Sequence, residues 1–95
     1  MNKYEALYIV NATLEEEPRN AVIERFNTLI TNNGGTVDSV DEWGKRRLQY
    51  PILDMNEGYY VLLRFTAEPT LPLELERNYR ITESVIRYLV TRMED

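Results

Sequence analysis

Histidine and cysteine are both missing from the 95 residues. Their absence excludes disulfides, imidazole or thiolate metal sites, cysteine nucleophiles, any triad that uses imidazole as base, and the usual neutral-pH switch. Without cysteine the redox compartment is not legible. Glycine and proline number only four each, and no linker, repeat or low-complexity stretch interrupts the chain. No apolar run approaches the ~20 residues of a membrane span. The opening MNKYEALYIV has no basic region followed by a long apolar stretch and a small-residue cleavage site, so it does not read as a secretory signal. The expectation is a soluble cytoplasmic protein with no membrane partner and no metal or other cofactor.

What is present suits one domain over residues 1–95. A chain of this size buries only about 60–65% of its unfolded surface, enough for one core. Hydrophobic residues make up 43%, a globular rather than a disordered composition. The net charge is −5, which argues against nucleic acid until its distribution is read. Residues 1–43 hold three basic groups (Lys3, Arg19, Arg25) and eight acidic ones. Residues 44–95 hold eight of each. The excess acid therefore sits in the first half, and the second half has to be read locally.

Six elements follow from the apolar periodicity. YEALYIV (4–10) predicts a strand, apolar on both alternate sets. NATLEEEPRN opens a helix with acid in its first turn and Pro18 where proline is tolerated; Val22, Phe26, Leu29 and Ile30 form its stripe, and Asn33-Gly34-Gly35 stops it. TVDSVDEWGKRRLQYPI (36–52) predicts a long strand whose Val37 and Val40 differ in parity. Gly44 marks a bulge near that break, and Pro51 sits at a sheet edge. DMNEG (54–58) predicts a hairpin loop and GYYVLLRFTA (58–67) a third strand. EPTLPLELERNY (68–79) predicts a short helix with Thr70 as cap and Glu76 facing Arg80, and SVIRYLVTR (84–92) a last strand. The order β-α-β-β-α-β predicts an α+β, ferredoxin-like split βαβ: a four-stranded antiparallel sheet with both helices on one face. Right-handed crossovers put strands 1 and 3 in the middle and leave the other face without cover from the chain.

Function is sought on that open face. Strands 3 and 4, with these bounds, carry Arg64, Arg87 and Arg92 and no carboxylate, and strand 2 carries Lys45-Arg46-Arg47. Glu15, Glu16, Glu17, Glu24, Glu74 and Glu76 fall on the helices or their entry loops. Such a dipolar molecule can present cations to phosphate despite its net sign. If strand 1 runs antiparallel to strand 4, Lys3 and Tyr4 lie near Thr91 and Arg92, a corner suited to phosphate, sugar and an unstacked base. The alternative is that Tyr4 is a half-buried edge aromatic and the cations are solvated ends. Alternation sends Lys45 and Arg47 to one face and Arg46 to the other, and a charge run on an edge strand also serves to block edge-to-edge aggregation. Trp43 reads as packing or as a stacking platform.

The stretch DEWGKRRLQYPI (41–52), a short loop and GYYVLLRF (58–65) resemble the signature of the bacterial small-ribosomal-subunit protein six family. MNKYEALYIVN, the Asn-Gly-Gly helix stop and NYRITESVIRYLVTR resemble it in order and spacing, over almost the whole chain. The resemblance implies a ferredoxin-like fold, no catalysis, and binding of small-subunit ribosomal RNA in the central domain together with small-subunit protein eighteen, a small basic partner. It implies RNA contacts at Lys3, Tyr4 and Arg92, with Asn2, where family members often carry Arg or Lys, donating a hydrogen bond but no charge. Arg87 joins the RNA-facing set as a cation of strand 4. Arg46, Arg47, Tyr60 and Arg64 are the residues expected to hold the partner protein, and the isolated chain is expected to be a monomer.

Three other readings have their own discriminators. An RNA-recognition motif for single strands shares the topology, and EGYYVLLRF faintly echoes its third strand. However, Val61 and Leu63 accompany Tyr59 and Phe65, and the opposite set offers one aromatic, Tyr60, where a platform needs two or three. An enzyme of the acylphosphatase kind needs a Gly-rich phosphate loop that the four glycines do not form, and Asp38, Asp41 and Glu42 as cation ligands compete with plain solvation. A homo-oligomeric regulatory domain would turn the open face onto itself.

Overall fold

Alternation and helical periodicity settle into β1 (Asn2–Asn11), α1 (Glu16–Asn32), β2 (Thr36–Ile52), β3 (Met55–Ala67), α2 (Leu71–Ile81) and β4 (Val85–Arg92). The structure, a computed structural model, describes residues 1–52 and 55–93. The sheet order is β2-β3-β1-β4 with every neighbouring pair antiparallel. This is the expected ferredoxin-like arrangement with β1 and β3 central.

Helix α1 is entered through a turn in which Asn11 Oδ1 accepts hydrogen bonds from the Thr13 amide and hydroxyl. It ends where Gly34 takes a φ of 80°. The Gly35 amide then reaches the Ile30 carbonyl at 2.9 Å, and the Gly34 amide reaches that of Thr31 at 3.2 Å. This pair of bonds satisfies the last carbonyls of the helix. Helix α2 starts at Leu71 rather than 68, because Glu68 precedes proline and is held out of the helix; the Leu71 amide closes a turn onto Glu68 instead. Thr70 occupies the cap position but its side chain makes no capping bond. The expected Glu76–Arg80 pair is also corrected: Arg77 pairs with Glu74 at 2.6 Å.

The parity break in β2 has a register explanation. Val37 pairs with Phe65 and Val40 with Leu63, with a shift between Val37 and Ser39 that puts both valines on one side. A second shift falls between Glu42 and Gly44, where Gly44 has a φ of 85°. The β2–β3 pairing runs out to Ile52 and Met55, so β3 begins three residues before the expected 58. Asn56 and Glu57 are strand and not loop, while Asp54 lies outside the described residues. Strand β3 therefore does carry one carboxylate, Glu57.

One face of the sheet packs on both helices. Tyr4, Ala6, Tyr8 and Val10 of β1 and Val61, Leu63, Phe65 and Ala67 of β3 form one cluster with Ile23, Phe26 and Ile30 of α1 and Leu71, Leu75 and Tyr79 of α2. Burying each large apolar side chain there is worth roughly 1.5–3 kcal/mol. The opposite face carries Leu7, Ile9, Tyr60, Leu62 and Leu89. The expectation that nothing within the chain covers it is corrected in part. Leu48, Ile9 and Ile86 converge over Gly58, and Leu48 and Ile9 are nearly buried. The outer β2–β3 arm thus folds onto one end of this face. A methyl at Gly58 would collide with the β-branched Ile9, whose χ1 is stiff. Gly58→Ala is expected to cost about 1–3 kcal/mol in urea unfolding, as an overpacked site does.

The Tyr8 and Tyr79 hydroxyls are buried without a hydrogen-bond partner among the described residues. Burial pushes both phenols above their ordinary range, with Glu42 adding to the effect at Tyr8 and Tyr8 adding to it at Tyr79. Tyr8→Phe and Tyr79→Phe are therefore expected to be neutral or stabilising by about 1 kcal/mol, since an unpaired buried donor is removed with no loss of ring. The raised phenols hold their protons in the fold and release them on unfolding above the ordinary tyrosine value of 10.0. Their contribution is complete below that pH and is lost as pH rises beyond it. Urea melts at about pH 9 and about pH 11 should show stability falling in the parent chain and falling less in the double Phe variant.

Candidate functional site

The end of the sheet where β1 begins and β4 finishes forms a corner. Tyr4 is the register partner of Arg92, and the Met93 amide bonds the Lys3 carbonyl at 2.9 Å. The structure therefore brings Asn2, Lys3, Tyr4 and Arg92 together, as antiparallel pairing requires. It also divides them. Asn2, Tyr4 and Arg92 project on the helix side, where Arg92 donates to Asn2 Oδ1 at 3.2 Å and Asn2 Nδ2 donates to the Tyr4 hydroxyl at 3.2 Å. Lys3 has the opposite parity and is exposed beside the open face. Tyr4 is only 7% exposed, its ring stacked on Phe65 with centroids 5.5 Å apart. Its ring belongs to the core, and the hydroxyl is the part tied to the corner.

Arg87 is not at this corner. It pairs with Ile9, six residues along β1 from Lys3, a separation of about 20 Å in a strand. It lines an open-face depression of about 430 Å³ together with Leu7, Ile9, Leu48, Tyr60 and Leu89. Leu89 is 62% exposed and Tyr50, on the depression's rim, is 69% exposed.

Arg46 and Tyr60 share that face. The Trp43 ring stacks on Tyr60 with centroids 6.0 Å apart, and the Arg46 guanidinium lies 5.2 Å from the Trp43 centroid. Arg47, paired in register with Glu57, falls on the other side of β2. Arg64 is on the open face but its charge is answered there by Glu5 at 3.0 Å. Asp41 accepts from the Trp43 indole and Asp38 from the Thr66 hydroxyl. The expected segregation of charge is thus incomplete: Glu5, Asp38 and Asp41 stand among the cations. Glu42 is on the helix side, where it accepts from Tyr59 at 2.8 Å while Arg19 lies over the Tyr59 ring at 4.1 Å. Burial first, and the Glu42 bond and charge next, raise the Tyr59 phenol. Asp38, Asp41 and Glu42 each answer a different donor and do not converge as a cation site. No group of three His, Cys, Asp or Glu among the described residues is placed to hold a metal.

Sequence periodicity missed Trp43, Leu48, Tyr50 and Leu89 as members of the open face. For Trp43 the signal was present: a bulge at Gly44 breaks the alternation on either side of it. Leu48 and Tyr50 needed the fold-back of the arm, which no local pattern encodes.

The family model described as "Ribosomal protein S6" matches residues 3–92. The chain belongs to the ribosomal protein S6 family. It is 52% identical over 94 residues to the small ribosomal subunit protein bS6 of Clostridium novyi, covering 99% of each chain. It is 50% identical over 95 residues to that of Caldanaerobacter subterraneus, covering 100% of each. The crystal structure of 30S ribosomal protein S6 from Thermotoga maritima superposes with a TM-score of 0.92 at 32% identity, covering 97% of this chain and 87% of that one. A part of the zebrafish Gpr126/Adgrg6 extracellular region shares the fold alone, at 17% identity and a TM-score of 0.60. As a ribosomal protein S6 family member the chain is a non-catalytic structural component of the small subunit in the cytoplasmic ribosome, with the ribosome and its RNA as partners. No helix of the described residues is long and apolar enough to cross a membrane.

In this S6-family sheet the Glu5–Arg64 pair is half exposed, which limits its worth to about 0–1 kcal/mol. Glu5→Gln should therefore change the unfolding midpoint little. Urea unfolding of Glu5→Gln beside the parent chain checks this.

Proposed function

We propose that this chain joins small-subunit ribosomal RNA to small-subunit protein eighteen, with the sheet corner on the RNA and the open face on the protein. The observation that supports it is the pairing of two unlike surfaces on adjacent parts of one sheet. At the corner, Lys3 and Arg92 end neighbouring strands and make no ion pair within 4.0 Å among the described residues. On the open face, exposed Leu89 and Tyr50 border an apolar depression flanked by Tyr60, Trp43, Arg46 and Arg87. The first surface fits a sugar–phosphate backbone, and the second fits a protein hot spot, where Trp, Tyr and Arg concentrate.

The roles divide accordingly. Lys3 and Arg92 contact phosphate, with Asn2 and the Tyr4 hydroxyl beside them. Arg46, Tyr60 and Arg64 hold the partner protein, joined by Trp43, Leu89 and Arg87, and Arg47 reaches it around the edge of β2. The isolated chain is a monomer, and because few phosphates can be neutralised by this corner alone its RNA affinity is weak until a basic partner completes the site. The single-strand reading is disfavoured because the Trp43 and Tyr60 rings are engaged with each other and Trp43 also with Arg46.

The experiment is joint binding of chain and protein eighteen to a platform RNA fragment. Lys3→Glu and Arg92→Glu should each weaken assembly at least about tenfold and lower the salt slope by about 1–2 units, with unfolding unchanged. Leu89→Asp should abolish protein association in the absence of RNA. Full assembly by all three variants would overturn the proposal. Tyr4→Ala is unsuitable as a probe because it opens the core beside Phe65.

A further inference from the structure

Three arginines among the described residues donate hydrogen bonds to side chains, and they differ in what they bond. Arg64 bonds the Glu5 carboxylate and Arg77 bonds the Glu74 carboxylate. Both are held in place and neutralised by the same contact. Arg92 bonds Asn2 Oδ1, which is neutral. It is held in place with no carboxylate within 4.0 Å among the described residues.

The hold has a rigid root. Asn2 Nδ2 donates to the Tyr4 hydroxyl, two residues along the same strand and on the same side. The Tyr4 ring is stacked on the fully buried Phe65 and cannot move without disturbing the core. The orientation of the amide is determined by the network. Turned over, Asn2 would set its NH₂ group against the guanidinium, donor to donor, and lose the bond to Arg92. The bond to Asn2 occupies only part of the guanidinium's five-donor fork, leaving other N–H groups free for an oxyanion. An arginine left loose would lose rotamer freedom on meeting a phosphate, and here part of that freedom is already lost in the folded chain.

We infer that Asn2, anchored on the Tyr4 hydroxyl, is a positioning residue that presents the Arg92 guanidinium pre-oriented, through a neutral acceptor, to an RNA phosphate. This rests on reading the corner as an RNA contact. It differs from a direct Asn2–RNA contact in that Asn2 acts only through Arg92.

A double-mutant cycle separates these possibilities, using the chain with its partner protein and the platform RNA fragment. Arg92→Ala should lower affinity about tenfold and reduce the salt slope by about one unit. Asn2→Ala should lower it about three- to fivefold with the slope unchanged, and should cost nothing further in the Arg92→Ala background. Tyr4→Phe, which keeps the ring, should behave as a weaker Asn2→Ala with the same unfolding midpoint. Asn2→Asp keeps the acceptor and its size but neutralises Arg92, so it should lose more affinity than Asn2→Ala and flatten the salt slope. If Arg92→Ala changes neither affinity nor slope, the corner reading itself fails. If Arg92→Ala acts as expected but Asn2→Ala costs as much in its presence as in its absence, the corner stands and the positioning role is overturned.

Discussion

The structure depends on where the two crossovers go. Right-handed crossovers, the rule for parallel strand–helix–strand units, put both helices on the same side of the sheet, and α1 and α2 share one cluster with it that buries Tyr8, Phe26, Phe65 and Tyr79. That leaves the second face with an apolar floor and no layer of helices above it. Leu7, Ile9, Tyr60, Leu62 and Leu89 are what a two-faced central sheet needs to bury, and among the described residues the β2–β3 arm is what reaches over them. Leu48 covers one end, Leu62 is buried as well, Leu7 and Tyr60 are half-buried, and Leu89 stays exposed. In a small domain this is a cost in stability that association can offset.

Charge follows the same division without being cleanly sorted by it. The helices carry Glu16, Glu17, Glu24, Glu74 and Glu76, yet Glu5, Asp38 and Asp41 reach the open face and engage Arg64, Thr66 and Trp43. The face is therefore only weakly cationic, and cations with no ion pair among the described residues are spread out: Lys3 and Arg46 beside or on the open face, Arg87 about 20 Å from Lys3, and Arg92 on the helix side of the corner.

Much of this was legible in the residues. The element order, the central position of β1 and β3, the helix stop at Asn33-Gly34-Gly35 and the bulge at Gly44 all come from local chemistry: periodicity, left-handed glycine and crossover handedness. The corner pairing of Tyr4 with Arg92 followed from antiparallel geometry alone. What escaped was non-local. Whether the Tyr4 ring faces solvent or Phe65 is decided by the parity that the whole sheet shares, and that parity put the ring in the core. The loop expected at 54–58 reads as turn-like in Asn56, Glu57 and Gly58, but cross-strand pairing with β2 overrides that composition. The neutralisation of Arg64 by Glu5 joins residues 59 positions apart and has no local signature.

The central claim is that one sheet presents two separate surfaces, the open face to a protein and the β1–β4 corner to RNA. Amide chemical-shift mapping of the labelled chain, titrated first with the partner protein and then with platform RNA, tests it directly. The account requires the protein to shift β3 and β4 amides around Tyr60, Leu62 and Leu89, and the RNA then to shift those of Lys3 and Arg92, with the outer faces of α1 and α2 unchanged. Perturbation centred on the helices, or one shared footprint for both ligands, would contradict it.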